Sequence, residues 1–288
     1  MRYFYYPGCS LEGTAREYDL STRAFLRAVG VELVELPDWT CCGATAAQGM
    51  SRLLALALPA RNLALAEGTG EGLDILVPCS ACYLNLRRAE DRIRSGGGAR
   101  REINAALSES GLQCSGEVRV RHLLDVLSRD LDPASLAERV TRPLEGMRIA
   151  PYYGCQCLRP YADFDDPEEP RTMEPLIRAA GAEVFPWGAG ARCCGASHMT
   201  TKPEIGIELV AGLLEAARGA DAIVTVCPMC QMNLEAYQGK ASRVRGSDLS
   251  ATVLYLPQLL GLALGLSRDE VRLDLNLAVG RVFKKTAA

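Results

Sequence analysis

Short apolar runs alternate along the chain with longer segments of helical spacing. Residues 73–77 and 222–226 are almost continuously apolar, which is typical of strands buried on both faces of a parallel sheet. Residues 53–67 and 205–217 instead place their apolar side chains at the three- and four-residue intervals of amphipathic helices. Because strand and helix alternate, the pattern predicts an α/β fold in which small parallel sheets are flanked by helices.

The predicted elements come in pairs, with one member of each pair in each half of the chain. Two β-prone runs each end at a Gly-Cys pair, and the helical segment that follows each run stops at a glycine, a common helix terminus. A further predicted strand then leads into a Cys-Cys-Gly triplet in both halves. These pairs are strands over 2–6 and 148–152, helices over 21–29 and 173–180, and strands over 31–36 and 182–185.

The cysteines repeat with the same period as these elements. A Gly-Cys pair, a Cys-Cys-Gly triplet and a C-x-x-C motif occur in that order in the first half and again in the second half. We therefore predict two tandem, pseudo-symmetric domains, residues 1–140 and 141–288, with their cysteines at the carboxyl ends of strands, where such sheets bind ligands. Ten of the twelve cysteines belong to this pattern: Cys9, Cys41, Cys42, Cys79 and Cys82 in the first copy, and Cys155, Cys193, Cys194, Cys227 and Cys230 in the second.

Two cysteines and two connecting segments fall outside the repeat. Residues 95–116, which contain three consecutive glycines, are predicted to be a mobile excursion, and Cys114 within them is predicted to bind no metal. Residues 130–143 are the predicted linker between the copies. Cys157 could replace Cys155 as a ligand, control access to the site, or be a buried cysteine with no role in binding. Cys155 is preferred because the glycine before it matches the one in the first copy.

Length and charge narrow the class of protein. A chain of 288 residues suggests two domains of ordinary size. The net charge of −3 argues against a nucleic-acid partner, because binding to phosphates requires a positive surface. No apolar run approaches the ~18 residues of a membrane-spanning helix and no targeting segment is visible, so we predict a cytoplasmic protein. Disulfides seldom persist there, so clustered cysteines indicate metal binding or redox chemistry.

The spacing of the thiols favours a metal site over other uses of cysteine. Each C-x-x-C is predicted to begin a helix directly after a buried strand, which puts both sulfurs on one face and stabilises their thiolates. One zinc ion or one cubane [4Fe–4S] cluster takes four ligands, so a fifth thiol in each copy indicates a spare ligand or a cluster of unusual shape. Structural zinc in one or both copies, a thioredoxin-like dithiol and a disulfide scaffold are the alternatives to iron–sulfur ligation, which we prefer.

The arrangement C-x(31)-C-C-G-x(35)-C-x-x-C, followed by C-x(37)-C-C-G-x(31)-C-x-x-C, resembles the duplicated cysteine-rich CCG domain found in the B subunit of heterodisulfide reductase. The segment YGCQ at 153–156, with LRP at 158–160, is similar to the first loop of that family's second copy. The resemblance extends from the first strand to about Leu266, nearly the whole chain. The content of Arg, Ala and Leu favours the bacterial, sulfur-oxidising branch of this family.

This resemblance implies a catalytic role in reducing or forming S–S bonds. In that family the five cysteines of each copy hold a noncubane [4Fe–4S] cluster, and the two clusters face each other across a disulfide-binding cleft. All ten motif cysteines would then be cluster ligands, with Cys41, Cys42, Cys193 and Cys194 at the reaction centre. Cleavage of a disulfide needs two electrons, and two clusters can each deliver one. The implied substrate is the coenzyme B–coenzyme M heterodisulfide or a similar disulfide, or a lipoyl protein or sulfane sulfur in a bacterial sulfur-oxidising complex.

The resemblance also implies partner subunits. The chain has no G-x-G-x-x-G after a strand and no Walker-type loop, so it provides no flavin, nicotinamide or nucleotide site of its own. Electrons would pass through the family's small ferredoxin-like C subunit and its flavin-bearing A subunit. His198, three residues beyond the second Cys-Cys-Gly, could protonate a leaving thiolate, and a packing role explains it equally well. The alternative function is a non-catalytic electron-transfer subunit, or a zinc-stabilised scaffold, of a multi-subunit dehydrogenase.

Overall fold

The computed structural model describes residues 1–44, 46–280 and 283, and its strands form one parallel sheet in each half of the chain. The strands are β1 (Arg2–Tyr5), β2 (Glu32–Glu35), β3 (Ile75–Val77), β4 (Val120–His122), β5 (Arg148–Tyr152), β6 (Glu183–Val184), β7 (Ala222–Thr225) and β8 (Val253–Tyr255). The first sheet has the order β2-β1-β3-β4 and the second the order β6-β5-β7-β8, so the two share one topology. The predicted α/β fold with two tandem, pseudo-symmetric copies is confirmed.

Helices connect the parallel strands. They are α1 (Gly8–Glu12), α2 (Arg16–Ala28), α3 (Ala46–Met50), α4 (Arg52–Gly68), α5 (Ser80–Arg94), α6 (Gly97–Ser108), α7 (Leu123–Arg129), α8 (Pro133–Glu138), α9 (Met173–Ala179), α10 (Pro203–Ala216), α11 (Pro228–Ala236), α12 (Gln238–Arg245) and α13 (Leu256–Ala263), with the short 3-10 turns η1 (Ala196–His198) and η2 (Leu273–Leu275). Both C-x-x-C motifs begin a helix as predicted, since α5 starts directly after Cys79 and α11 directly after Cys227. No helix in the described part of the chain is long and apolar enough to cross a lipid bilayer.

The last β–α unit of each copy packs against the other copy. Helix α7, which follows β4 directly, contacts α9, and α13, which follows β8 directly, contacts α2. An aromatic stack accompanies each contact: the rings of Tyr18 and Tyr255 are 4.0 Å apart and nearly parallel, and those of His122 and Phe164 are 5.8 Å apart and nearly parallel. The two copies are therefore interlocked. The boundary predicted at residue 140 falls between α8 and β5 and stays a prediction.

Tyr18 joins the two sheets at the ends that carry the cysteines. Its hydroxyl lies 3.1 Å from the carbonyl oxygen of Pro78 and 3.2 Å from that of Val226, the residues before the two C-x-x-C motifs. The Tyr18 side chain is fully buried, so these contacts compensate for the removal of its hydroxyl from water. The carboxyl ends of β3 and β7 are thus held side by side, and both C-x-x-C motifs start from the same region of the fold.

The prediction of a mobile excursion over residues 95–116 is wrong, because the helix α6 occupies most of it. Gly96 adopts a φ of +70° immediately before this helix, so this glycine allows the sharp turn at a helix start. One side of α6 is buried, which holds the segment on the protein. The predicted linker over 130–143 likewise contains a helix, α8, whose first amides are capped by the side chain of Asp132.

Candidate functional site

All ten motif cysteines line a single cavity of about 270 Å³ between the two copies. They reach it from loops and helix starts that follow the parallel strands of both sheets. The other lining residues are mostly apolar and small, with a few polar groups: Ser10, Ala44, Ser80, Ala81, Tyr153, Gln156, Ala196, Ser197 and Met229. The fold therefore brings together every cysteine that the repeat singles out, inside one largely apolar enclosure.

Two glycines allow the backbone to approach the thiols. Gly8 and Gly154, each directly before the first cysteine of its copy, adopt φ values of +70° and +73°. A Cβ atom on Gly8 would lie 2.9 Å from the Sγ of Cys82, and one on Gly154 would lie 3.0 Å from the Sγ of Cys230. Both values are shorter than a normal contact, so glycine is required at both positions for its conformation and for its lack of a side chain.

The two Cys-Cys-Gly loops share one conformation. The N–H of Gly43 donates a hydrogen bond of 3.4 Å to the Sγ of Cys41, and the N–H of Gly195 donates one of 3.3 Å to the Sγ of Cys193. In each pair the first cysteine is exposed and the second is buried. The exposed and the buried sulfur of a pair can therefore contact two different atoms of a bound group.

Hydrogen bonds between thiols divide the cysteines of each copy into proton donors and acceptors. The Cys82 thiol, with its Sγ 3.2 Å from that of Cys42, lowers the pKa of Cys42 to about 7. A hydrogen bond from the second thiol of its own C-x-x-C lowers the pKa of Cys227 to about 7, and one from Cys155 lowers the pKa of Cys193 to about 2. Each copy therefore stabilises ionised sulfur at the cavity, and the thiolate is the form that binds metal.

Buried amides support the second cysteine of each Cys-Cys pair. The side-chain N–H of Asn85 lies 3.8 Å from the Sγ of Cys42, and that of Asn233 donates a hydrogen bond of 2.8 Å to the carbonyl oxygen of Cys194. Both asparagines are buried on the helices that begin at the C-x-x-C motifs. They connect these helices to the Cys-Cys-Gly loops and so fix the distance between the two motifs of a copy.

The two remaining cysteines lie outside the cavity wall. Cys157 is buried, and its Sγ donates to the carbonyl oxygen of Tyr153 at 3.2 Å. Cys114 is also buried, with its Sγ 3.5 Å from a carboxylate oxygen of Glu67, and burial raises its pKa to about 12. Neither thiol is among the residues that line the cavity.

The remaining candidate residues are His198 and the polar residues that line the cavity. His198 ends the turn η1, is half-buried, and lies close enough to Cys193 to help lower the pKa of that thiol, but it does not line the cavity. Sequence reasoning missed Ser80, Gln156 and Ser197 as lining residues. The sequence could have indicated these three residues, because each lies within two residues of a motif cysteine or glycine.

The donor set suits an iron–sulfur group. Five thiols from each copy are soft ligands, which bind iron–sulfur clusters and zinc in preference to hard cations such as magnesium or calcium. They surround open space, and five thiols in each copy exceed the four ligands that one zinc ion takes. No three His, Cys, Asp or Glu side chains within residues 1–44, 46–280 and 283 are placed to hold a single metal ion.

Comparison with known proteins gives matches over nearly the whole chain. The model of a cysteine-rich domain named CCG matches residues 3–87 and again residues 149–235. A protein from Wolinella succinogenes, named 8-methylmenaquinol:fumarate reductase membrane anchor subunit, is 36% identical, with 95% of each chain covered. The B subunit of a ferredoxin/F420H2-dependent CoB-CoM heterodisulfide reductase from Methanosarcina acetivorans is 31% identical, with 94% of this chain and 92% of that one covered.

A solved structure shares the fold. A hypothetical protein from Helicobacter pylori superimposes with a TM-score of 0.76 at 16% identity, covering 97% of this chain and 52% of that one. This chain therefore spans about half the length of that protein. The two domain matches contain all ten motif cysteines. The chain belongs to the family of proteins with a duplicated cysteine-rich CCG domain, which includes the B subunit of heterodisulfide reductase.

Proposed function

We propose that this chain is the iron–sulfur subunit of a multi-subunit oxidoreductase, and that it reduces or forms S–S bonds in the cavity between its two copies. One observation carries the proposal: ten cysteines, five from each copy, line the same cavity. Each set of five would hold one [4Fe–4S] cluster, so two redox groups would face one substrate. A cluster that uses all five thiols differs from a cubane, which takes four.

Disulfide reduction is a two-electron reaction that suits this arrangement. The S–S bond breaks, two electrons and two protons are taken up, and two thiols leave. The bound clusters would supply the electrons, one from each copy. Tyr153 and Met229 contribute to the apolar part of the cavity wall, while Gln156 and Ser197 offer hydrogen bonds to a substrate. Proton donation by His198 stays a prediction.

The names of the relatives support a redox function and also suggest a second candidate. Three relatives at 29–31% identity are named as the B subunit of a heterodisulfide reductase or as a protein like that subunit. The relative from Wolinella succinogenes, at 36% identity, belongs instead to a menaquinol:fumarate reductase. In the second candidate function the same pair of clusters would pass electrons to or from a quinol, and an apolar cavity would suit a quinone ring.

Metal analysis provides the first test. Protein purified without oxygen is expected to contain about eight iron atoms and about eight sulfide ions per chain, because each set of five thiols would hold one tetranuclear cluster. Iron and sulfide assays, with visible absorption and EPR spectra, measure this directly. Stoichiometric zinc without visible absorption would contradict the proposal.

The choice of substrate that the holoprotein turns over distinguishes the two candidate functions. With reduced viologen as the electron donor, the holoprotein is expected to cleave a heterodisulfide or oxidised lipoamide, and to show little reaction with a water-soluble menaquinone analogue. The reverse preference, with quinone turnover and no disulfide cleavage, would overturn the first candidate in favour of the second.

Exposed apolar side chains on helices near the cysteine motifs support the expectation of partner subunits. Seven of the eleven large apolar side chains that are exposed in the described residues lie on helices that follow the cysteine motifs. They are Met50, Leu53, Leu54, Ile205, Leu209, Met229 and Met232. We propose that the protein that exchanges electrons with this chain docks on these side chains. The ferredoxin-like C subunit and the flavin-bearing A subunit of the same complex are the proposed partners.

Charged substitutions at two of these side chains test this docking. Combining Met50→Glu with Leu53→Glu should slow electron transfer from a ferredoxin more than electron transfer from viologen, because only a protein donor needs the apolar contact. Leu277→Glu is the matched control, since Leu277 is 73% exposed, similar to Met50 at 79%, but lies on a segment with no cysteine motif. Equal slowing of the two donors, or an equal effect of Leu277→Glu, would contradict the docking site.

A further inference from the structure

The segment that follows Cys155 is attached to the first copy. Asp163 lies eight residues beyond Cys155, and its carboxylate accepts a hydrogen bond of 2.8 Å from the hydroxyl of Tyr83. The same carboxylate accepts two hydrogen bonds, of 2.7 and 3.3 Å, from the guanidinium of Arg87, in the bidentate geometry of a strong ion pair. The backbone carbonyl oxygen of Asp163 accepts a further bond of 2.6 Å from Arg129. Three side chains of the first copy therefore hold one residue of the second.

Phe164 adds a buried contact to these polar ones. It is 7% exposed, and its ring stacks on that of His122 at the end of β4, with 5.8 Å between the ring centroids. The ring of Tyr83 meets it edge-on at 6.3 Å. Buried aromatic pairs of this kind hold elements together independently of charge. Asp163 and Phe164, which we call the loop anchor, thus join the second copy to α5 and β4 of the first.

The loop anchor connects opposite walls of the cysteine cavity. On the first-copy side, α5 contains Cys82, which lines the cavity, and Tyr83 is the next residue of that helix. On the second-copy side, Cys155 and Gln156 line the cavity and precede the loop anchor in the same segment. The contact between Asp163 and α5 therefore restricts how far these two walls can move apart.

Arg159 makes the second-copy wall move as one unit. Its backbone N–H donates a hydrogen bond of 3.0 Å to the carbonyl oxygen of Cys155, and its guanidinium donates one of 2.6 Å to that of Ala191. Ala191 lies two residues before Cys193. The segment of Cys155 and the loop of Cys193 are thus tied to each other, so a change at the loop anchor should shift both without separating the ligands of one copy.

Only one side of the molecule has this ion pair. Counting from the motif cysteines, Glu17 of the first copy takes the position of Asp163. By the same count, Glu235 of the second copy takes the position of Arg87. Two carboxylates cannot form an ion pair, and on that side the copies are joined by the packing of α2 on α13. The joint at Asp163 is therefore the one that depends on a pair of opposite charges.

We propose that Asp163 is a positioning residue that holds the second-copy wall of the cavity against α5, and that it thereby limits the size of the disulfide that the cavity accepts. The inference rests on the proposed cleavage of disulfides in this cavity. Without the carboxylate, the wall that carries Cys155 is free to move away from α5. The cavity then admits bulkier disulfides more readily, while the reacting groups stay the same.

Two uncharged disulfides of unequal size measure this selectivity. Asp163→Asn keeps the shape of the side chain and removes its charge. With reduced viologen as the electron donor, the ratio of kcat/KM for diacetylcystamine to that for the smaller dimethyl disulfide is expected to rise about two- to fivefold, as a partly exposed ion pair allows. Arg87→Gln should raise the ratio similarly, and the double variant no further, because both residues act through one contact.

Glu208→Gln is the matched control. It removes an ion pair with the same 2.7 Å distance, to Arg245, that joins two helices within the second copy. The control should keep the wild-type ratio and iron content. Hydrogen exchange of the holoprotein provides a readout without turnover: the amides of residues 155–165 should exchange faster in Asp163→Asn than in the wild type or in Glu208→Gln.

Several outcomes would overturn the inference. They are an unchanged ratio in Asp163→Asn, an equal rise in Glu208→Gln, and unchanged exchange over residues 155–165. An equal fall in kcat/KM for both disulfides would show a purely structural role and would overturn it as well. Each of these results leaves the proposed function in place if the wild type cleaves a disulfide, whereas a wild type that cleaves neither would overturn the proposed function and this inference together.

Discussion

Replacing Cys155 by serine is expected to remove about half of the bound iron, whereas the same replacement of Cys157 should leave the iron content unchanged. The two cysteines belong to one loop, but only Cys155 lines the cavity. Cys157 is fully buried behind the wall, and burial raises the pKa of its thiol well above the usual value, which opposes the thiolate needed for ligation. Iron and sulfide assays on anaerobically purified variants measure the difference.

Cys157→Ser is the control for Cys155→Ser. Serine differs from cysteine by a single atom and can make a similar hydrogen bond, so Cys157→Ser reports any general effect of the substitution on this loop. Disulfide turnover should fall with the iron in Cys155→Ser, because a two-electron reaction then has one cluster. An iron loss in Cys157→Ser as large as in Cys155→Ser would show that our proposal assigns the ligand to the wrong cysteine.

Gly8→Ala is expected to remove the cluster of the first copy and to destabilise the protein by more than the about 1–2 kcal/mol that a left-handed alanine costs by itself. The added Cβ would lie 2.9 Å from the Sγ of Cys82, so the loop or the thiol must move. A displaced Cys82 can no longer make the 3.2 Å contact with Cys42. Thermal unfolding of the metal-free protein measures the stability, and iron content measures the site.

Gly30→Ala is the matched control for this contact. Gly30 has a φ of +81°, similar to the +70° of Gly8, but no atom lies within 4 Å of the position of its Cβ. The Gly30 variant should therefore show the backbone cost alone and keep its iron. If the two variants lost equal stability and both kept their iron, the close approach of Gly8 to Cys82 would have no role in building the site.

The cysteine repeat made the fold and the location of the site predictable. Residues such as Cys79 and Cys227 closely follow almost continuously apolar runs, and the carboxyl ends of parallel strands meet at one edge of a sheet. The identical order of three motifs in both halves then implied two related copies, and the resemblance to the B subunit of heterodisulfide reductase implied that their sites face one cleft. Local signals of this kind survive in a single sequence because strand, turn and cysteine are adjacent along the chain.

What the sequence did not reveal depends on contacts between distant segments. The helix over 97–108 was missed because a run of glycines resembles a flexible loop, and whether a glycine starts a helix depends on what the helix packs against. Every residue of the helix over 256–263 is buried, so the helix has no amphipathic pattern that would indicate the element on which it packs. Ser80 was overlooked for the same reason, since its contacts with His122 and Val226 connect residues 42 and 146 positions away.

The interlocking of the copies has a consequence for how the chain folds during synthesis. Helix α2 is made near the beginning of the chain, but α13, which covers it, is among the last elements to be made. The hydroxyl of Tyr18 likewise finds the Val226 carbonyl only after most of the second copy exists. Such long sequence separations slow folding and leave apolar surface uncovered on the nascent first copy. The cavity, which takes its cysteines from both copies, is therefore completed late in folding, together with the packing of α13 on α2.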